Sequence, residues 1–290
     1  MNLFTYTAFL PSLKKSVRLK ELPFSEFKQL CKLIANKNDQ HITDAFDNLV
    51  NELCLDDLTD ITFLDKLIIL LTVRAMCIKT QLELTIKHPE TDKPYNLTFK
   101  IYDIIEKIDS ADMFNKYGRK EVQYNNIKIV YGIPSQFYFK TESEKISSLI
   151  KHIYINGVDC VDNIDQIIDR LPAIVYKDAK EHLQNIQDEI SKLSLLSVQF
   201  NNIEEKIEIT PNLFNKSTLD FLKLCYERDL ISLYEMEYIL CTRIELPVEI
   251  VRSSTLSELQ LYINIYEEEQ AARSRSEQKA PSSNPLAGPR

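Results

Sequence analysis

The chain holds four glycines in 290 residues: Gly118, Gly132, Gly157 and Gly288. No two lie close together, so no Gly-rich loop of the P-loop or dinucleotide type can be drawn. Such loops need the backbone freedom that only glycine supplies. An AT-rich genome also depletes glycine, but a glycine that a phosphate loop required would survive that bias. Tryptophan is absent, and the four histidines (His41, His88, His152, His182) are scattered. No histidine pair falls at i, i+3 or i, i+4, which leaves no helical metal clamp. Six cysteines (Cys31, Cys54, Cys77, Cys160, Cys225, Cys241) include no C-x-x-C pair, so a zinc ribbon or finger is excluded. Most lie in apolar helical stretches, as buried free thiols do. The amino terminus lacks a basic region followed by an apolar run, the mark of a signal peptide. The longest apolar run, Leu67 to Leu71, is far short of the ~20 residues that span a bilayer.

What is present describes a globular protein: 44% hydrophobic and 27% charged residues. The net charge of −8 is unevenly spread. Residues 271–290 carry four basic side chains (Arg273, Arg275, Lys279, Arg290) against Glu277, a surplus of +3, so the rest of the chain carries −11. An acidic body repels phosphates and argues against nucleic acid as a partner.

Periodicity gives the elements. Leu10-Pro11 to Leu22-Pro23 reads as an extended arm or edge strand around Val17 and Leu19. Phe24, Phe27, Leu30, Leu33 and Ile34 mark one face of a helix that Ser25 opens and that ends near Lys37. A second helix spans about 43–54. Thr62-Phe63-Leu64-Asp65 has the form of a capping box. It opens the most apolar helix, to about Cys77, expected at the centre of the amino-terminal core. Arg74 near its end either neutralises the helix's negative pole or makes a salt bridge or partner contact. Leu82, Leu84 and Ile86, then Tyr95, Leu97, Phe99 and Ile101, alternate as the strands of a hairpin. Val122 to Tyr131 suggests a third strand bulged at Asn125-Asn126, with a short helix at 103–108 between. Helices are expected at about 142–154, 163–170, 172–194, 217–228, 231–243 and 255–269, with an extended stretch at Ile207 to Ile209. Pro172 separates the second and third of these. From 271 on, Ser, Pro, Ala and Arg dominate, and disorder is expected.

The fold class is therefore α+β and predominantly helical: helical bundles with a small antiparallel sheet inserted at about 81–131. The domains are 1–135, amino-terminal and helical with the inserted sheet; 136–270, carboxyl-terminal and helical; and 271–290, a disordered tail.

Candidate chemistry is sparse. Asp159, Asp162, Asp165 and Asp169 lack the glycine and terminal glutamate of a calcium loop. Cys160 with His152 or His182 could form a nucleophile pair, but no oxyanion signature or ordering Asn accompanies it. G-x-S-x-G is absent. The residues name no catalytic group, cofactor or metal. The last helix is the best interaction candidate, because Leu256, Leu259, Ile263 and Tyr266 form one stripe and Leu261, Tyr262 and Ile265 widen it. Such a face is buried in its own core or against a partner. Leu259, Tyr262, Ile263 and Tyr266 are the candidate partner contacts, and a second copy of the chain is one candidate occupant.

The order of parts carries a resemblance. Leu10-Pro11 and a short strand precede two helices. An apolar helix follows, with Asp65 near its start and Arg74 near its end. A hairpin, the junction Asp169-Arg170-Leu171-Pro172, a helical end and a Ser/Pro tail complete the chain. This order resembles the baseplate hub proteins and hub-assembly chaperones of T-even-type contractile-tailed bacteriophages, loosely over residues 8–270. Paired cysteines found around the β elements in several members have no counterpart at 81–101. The resemblance implies a non-enzymatic role in tail assembly. The protein would bind hub subunits or the tape-measure protein in the host cytoplasm and could remain in the virion. A Cys-dependent hydrolase and a bacterial helical adaptor are the alternatives.

Overall fold

The computed structural model describes residues 5–87, 92–160, 172–193, 196–199, 206–209 and 217–279. The protein is α+β and mainly helical, as its periodicity predicts. The amino-terminal arm is a hairpin, β1 (Tyr6–Leu10) against β2 (Lys15–Leu19), with Ala8 facing Val17 across the ladder. Ala8, Leu10, Val17 and Leu19 point inward.

Helix α1 (Phe24–Ala35) buries Phe24, Phe27, Leu30, Cys31 and Ile34. Helix α2 (Asp39–Leu53) starts four residues earlier than its apolar stripe suggested, because the Asn38 side chain caps it by accepting from the His41 amide at 3.2 Å. Helix α3 (Phe63–Cys77) is the centre of the protein: thirteen of its fifteen residues are buried. Its capping box forms as expected. The Asp65 amide donates to Thr62 Oγ1 at 3.2 Å, and Asp65 Oδ2 accepts from the Thr62 amide at 2.8 Å.

Strands β3 (Gln81–Lys87) and β4 (Pro94–Lys100) pair antiparallel as a separate two-stranded sheet. Helices α4 (Ile101–Asp109) and α5 (Met113–Tyr117) follow. The third-strand expectation is corrected at two points. Asn125-Asn126 is a turn, not a bulge: Asn125 has φ 48°, and β5 (Lys120–Tyr124) folds back on β6 (Ile127–Tyr131). These strands do not join the β3–β4 hairpin. They belong to a four-stranded sheet ordered β5-β6-β7-β8, with β7 (Ile150–Ile155) and β8 (Val158–Asp159). The helix expected at 142–154 therefore ends early. Helix α6 (Glu142–Leu149) stops where the β-branched Ile150, Ile153 and Ile155 find the free edge of β6. The β7–β8 turn places both Asn156 (φ 52°) and Gly157 (φ 81°) in the left-handed region, which glycine takes without strain.

Helix α7 (Ala173–Ser191) packs against α5 and α6 and buries Val175, Ala179, His182, Leu183, Ile186 and Ile190. Strands β9 (Leu196–Gln199) and β10 (Lys206–Ile209) form a third hairpin. The helix expected at 163–170 lies outside the described residues.

The carboxyl-terminal helices are α8 (Ser217–Tyr226), α9 (Leu230–Thr242), α10 (Val248–Ser253) and α11 (Leu256–Lys279). The sequence reading omits α10. It ends the last helix ten residues short, because Ala271–Lys279 contains good helix formers amid its charges. Elements on both sides of residue 135 share one continuous core, running from Ala8 to Leu259. Arg74 is one reason. It is buried, and its guanidinium donates to the carbonyls of Cys225 (2.7 Å), Lys79 (2.6 Å) and Gln81 (3.1 Å). It thus ties α8 and the start of β3 to the end of α3. The Tyr226 hydroxyl donates to the Leu70 carbonyl at 2.6 Å, and its ring meets Phe46 edge-on at 5.5 Å. The Phe24 amide donates to the Ser254 carbonyl at 2.8 Å, closing α1 on the α10–α11 junction.

Candidate interaction surface

Two neighbouring carboxyl-terminal helices carry half of the large apolar side chains that are exposed among the described residues, seven of fourteen. Helix α9 opens at Asp229, whose carboxylate accepts from the Ile231 amide (3.4 Å), the Ser232 amide (3.0 Å) and the Ser232 hydroxyl (2.7 Å). Those hydrogen bonds hold the Asp229 carboxyl below the usual carboxylate range. The sequence that follows, Leu-Ile-Ser-Leu-Tyr-Glu-Met-Glu-Tyr-Ile-Leu-Cys-Thr, is apolar around most of the cylinder. A helix of that kind belongs inside a core or an interface. Yet only Leu233 and Leu240 of α9 are fully buried. Ile231 is 68% exposed, Tyr238 63% and Tyr234 46%. Positions 231, 234 and 238 fall on one face. Tyr234 is partly covered: Lys28 Nζ lies 4.7 Å and Lys32 Nζ 5.4 Å from its ring centroid. Ion pairs of Glu237, one turn from Tyr234, with Lys28 and, at 3.4 Å, Arg252 hold α9 to α1 and α10.

Helix α11 begins with a second capping box. Thr255 Oγ1 accepts from the Glu258 amide at 3.3 Å, and Glu258 Oε2 accepts from the Thr255 amide at 2.8 Å. Ser257 Oγ donates to the Met76 carbonyl at 3.3 Å, docking this end on α3. The four residues expected as partner contacts separate here. Leu259 is wholly buried and packs inside its own chain, so it is corrected to a core residue. Ile263 is half-buried against the same core. Tyr266 is half-buried and Tyr262 is exposed. Leu261 (60%) and Ile265 are exposed beside Tyr262. The docking of Leu256 and Leu259 turns the stripe's start inward, and helical geometry then turns 261, 262 and 265 outward.

The sequence reading missed the face Ile231–Tyr234–Tyr238. Its signal was present: the residues expected to form the 231–243 helix are apolar around most of the cylinder, more than one buried face can absorb.

The proposed thiol–imidazole pairs find no support in the geometry. His152 Nδ1 lies 3.1 Å from Asp159 Oδ2, while Cys160 Sγ turns to the Val158 carbonyl at 3.5 Å. His182 sits between Tyr117, which it meets edge-on, and Tyr131, which is tilted to it, at centroid distances of 5.8 and 5.6 Å. Burial pushes the Cys31 and Cys225 thiols up to about 12 and those of Cys54 and Cys77 to about 11, the reverse of nucleophile activation. Among the described residues no three His, Cys, Asp or Glu side chains are placed to hold a metal, and no helix is long and apolar enough to cross a membrane. Asp162, Asp165 and Asp169 lie outside the described residues.

The fold is helical with small antiparallel sheets, and α9 and α11 expose apolar side chains. Comparison with known families is specific. Residues 1–213 match the family described as T4 bacteriophage base plate protein, and the chain belongs to that family. No curated protein matches it, and no solved structure does. The matched span covers β1 to β10 and stops before α8, so α9 and α11 lie beyond it.

Proposed function

We propose that this protein is a non-enzymatic component of a phage baseplate hub, or an assembly chaperone for that hub, and that it binds other tail proteins through α9 and α11. The observation that carries the reading is α9, a predominantly apolar helix that leaves Ile231 and Tyr238 more than 60% exposed. Membership of the baseplate family gives the setting. Tyrosine and isoleucine on a rigid helix are effective anchors: they bury large areas and lose few rotatable bonds. Hub subunits and the tape-measure protein are the partners this reading names, engaged in the host cytoplasm during assembly. Tyr262 and the outer edge of Tyr266 would extend the contact along α11.

Quantitative mass spectrometry of purified virions, together with affinity capture from infected-cell lysate, tests the proposal. Fixed copy number in virions makes the protein a hub subunit. Absence from virions with tail precursors captured makes it a chaperone. If virions lack it and no tail protein is captured, the reading fails. Deleting α11 is a poor probe, since Leu256 and Leu259 belong to the core. Exposed positions of α9 are the appropriate sites.

A further inference from the structure

A second site lies away from the carboxyl-terminal helices. The β1–β2 turn, the loop before α3, the end of α5 and the inner strands of the four-stranded sheet converge on a cleft of ≈ 420 Å³. Lys14, Arg119, Lys151 and His152 line it, against the single carboxylate of Asp60. Three cationic side chains, Lys14, Arg119 and Lys151, against one carboxylate give the lining a positive balance in a chain whose net charge is −8.

Two of the basic groups are already engaged. Arg119 Nη2 pairs with Glu121 at 2.6 Å, and His152 faces Asp159. Lys14 and Lys151 have no hydrogen-bond or ion-pair partner among the described residues. Lys151 is the more informative. It is half-buried on β7, and its stem lies flat against Gly132, where a Cβ would come within 2.9 Å of Lys151 Cγ and Cε. A scarce glycine thus makes room for the stem of a lysine that lines the cleft. Burial draws the Lys151 pKa down, while the charges of Asp60 and Asp65 act against that fall from beyond ion-pair distance. Asp65 is committed elsewhere, to the Thr62 and Ser12 amides. Ser12 Oγ, in the cleft wall, is enclosed without a hydrogen bond. Lys14 sits at the rim with φ 52°, a left-handed conformation uncommon for lysine, which the tight β1–β2 turn imposes.

We propose that this cleft is an oxyanion-binding site. Lys151 forms its floor, Lys14 its rim, and a carboxylate of an acidic peptide segment is its occupant. A half-buried lysine whose nearest carboxylates stay beyond ion-pair distance gains from an anion brought into contact with it. The cleft is far larger than one inorganic ion, which leaves room for an acidic side chain and its backbone. The inference is independent of the α9–α11 reading, because no residue is shared.

The full-length protein is titrated calorimetrically with the peptide acetyl-Asp-Glu-Asp-Glu and, separately, with inorganic phosphate, against sodium chloride at equal ionic strength. Peptide binding that falls roughly ten- to hundredfold in Lys151→Met, which keeps the stem and removes the charge, is the expected result. Phosphate binding without peptide binding, lost in the same variant, keeps the oxyanion site and assigns it a free ion. Lys14→Gln, at an exposed turn, should weaken binding severalfold at unchanged melting temperature, and it serves alone if Lys151→Met fails to fold. No binding of either probe, or parent-like binding in the folded variants, overturns the proposal.

Discussion

His182 makes stability depend on pH in a way that can be worked through from the structure. It sits on the inward face of α7 with no exposed surface, between the rings of Tyr117 and Tyr131. Neither ring nitrogen reaches hydrogen-bonding geometry with any described group. Burial, with a smaller push from the Lys120 charge and a weak opposing pull from the Gly132 backbone, lowers its pKa from 6.5 to about 4. The folded protein therefore holds His182 neutral, while the unfolded chain takes up a proton near its ordinary value. Above pH 6.5 both states are neutral and nothing is lost. As pH falls from 6.5 to 4 the unfolded state binds the extra proton, and stability drops by about 1.4 kcal/mol per pH unit. The whole effect is about 3 kcal/mol, complete below the folded pKa, a large share of a typical ~5–15 kcal/mol stability. His182→Leu removes the titration and both unpartnered nitrogens, so at pH 7 it should be as stable as the parent or more stable, by up to about 3 kcal/mol. Urea unfolding of both proteins at pH 7, 6, 5 and 4.5 measures the difference, which cancels the contribution of the carboxylates. The gap between parent and variant should widen steadily below pH 6.5. Parallel curves would refute the reasoning and mean that His182 is hydrated or hydrogen-bonded in solution.

Three further outcomes are expected. Arg74→Met should leave the carbonyls of Cys225, Lys79 and Gln81 without their donor, at a cost of about 2–4 kcal/mol in urea unfolding; Arg74→Lys should recover only part of that, because an ammonium cannot reproduce the fork. Ile231→Ser with Tyr238→Ser should leave the melting temperature within a degree or two of the parent, since surface changes fall within about 0.5 kcal/mol, and should abolish capture of tail proteins from lysate. Timed iodoacetamide labelling at pH 7 should leave Cys31, Cys77 and Cys225 unmodified in the folded protein, and rapid labelling of any of the three would show that its helix opens.

Much of the fold was legible because local rules settled it. The Thr62–Asp65 and Thr255–Glu258 capping boxes, the α1 stripe and the period-two pattern of β3 and β4 depend on neighbours a few residues apart. A mainly helical α+β protein with few glycines and no catalytic motif followed from these alone, and the order of the parts pointed to phage baseplate proteins. What failed depended on distant partners. Ile150–Ile155 reads as helix until the edge of β6 is available to pair with it, and Asn125-Asn126 reads as a bulge until β5 and β6 are seen to turn there. Leu259 and Tyr262 carry equal apolar weight in the sequence. Only the seating of Thr255–Leu259 on α3 decides that one is core and the other surface. Arg74 looked like a helix-end charge and became a buried clamp, because Cys225, 151 positions away, lies beside it. The same holds for the cleft, whose lysines come from β1–β2 and β7. Periodicity reports which faces of a segment are apolar, and tertiary packing alone determines which of those faces finds a partner within the chain.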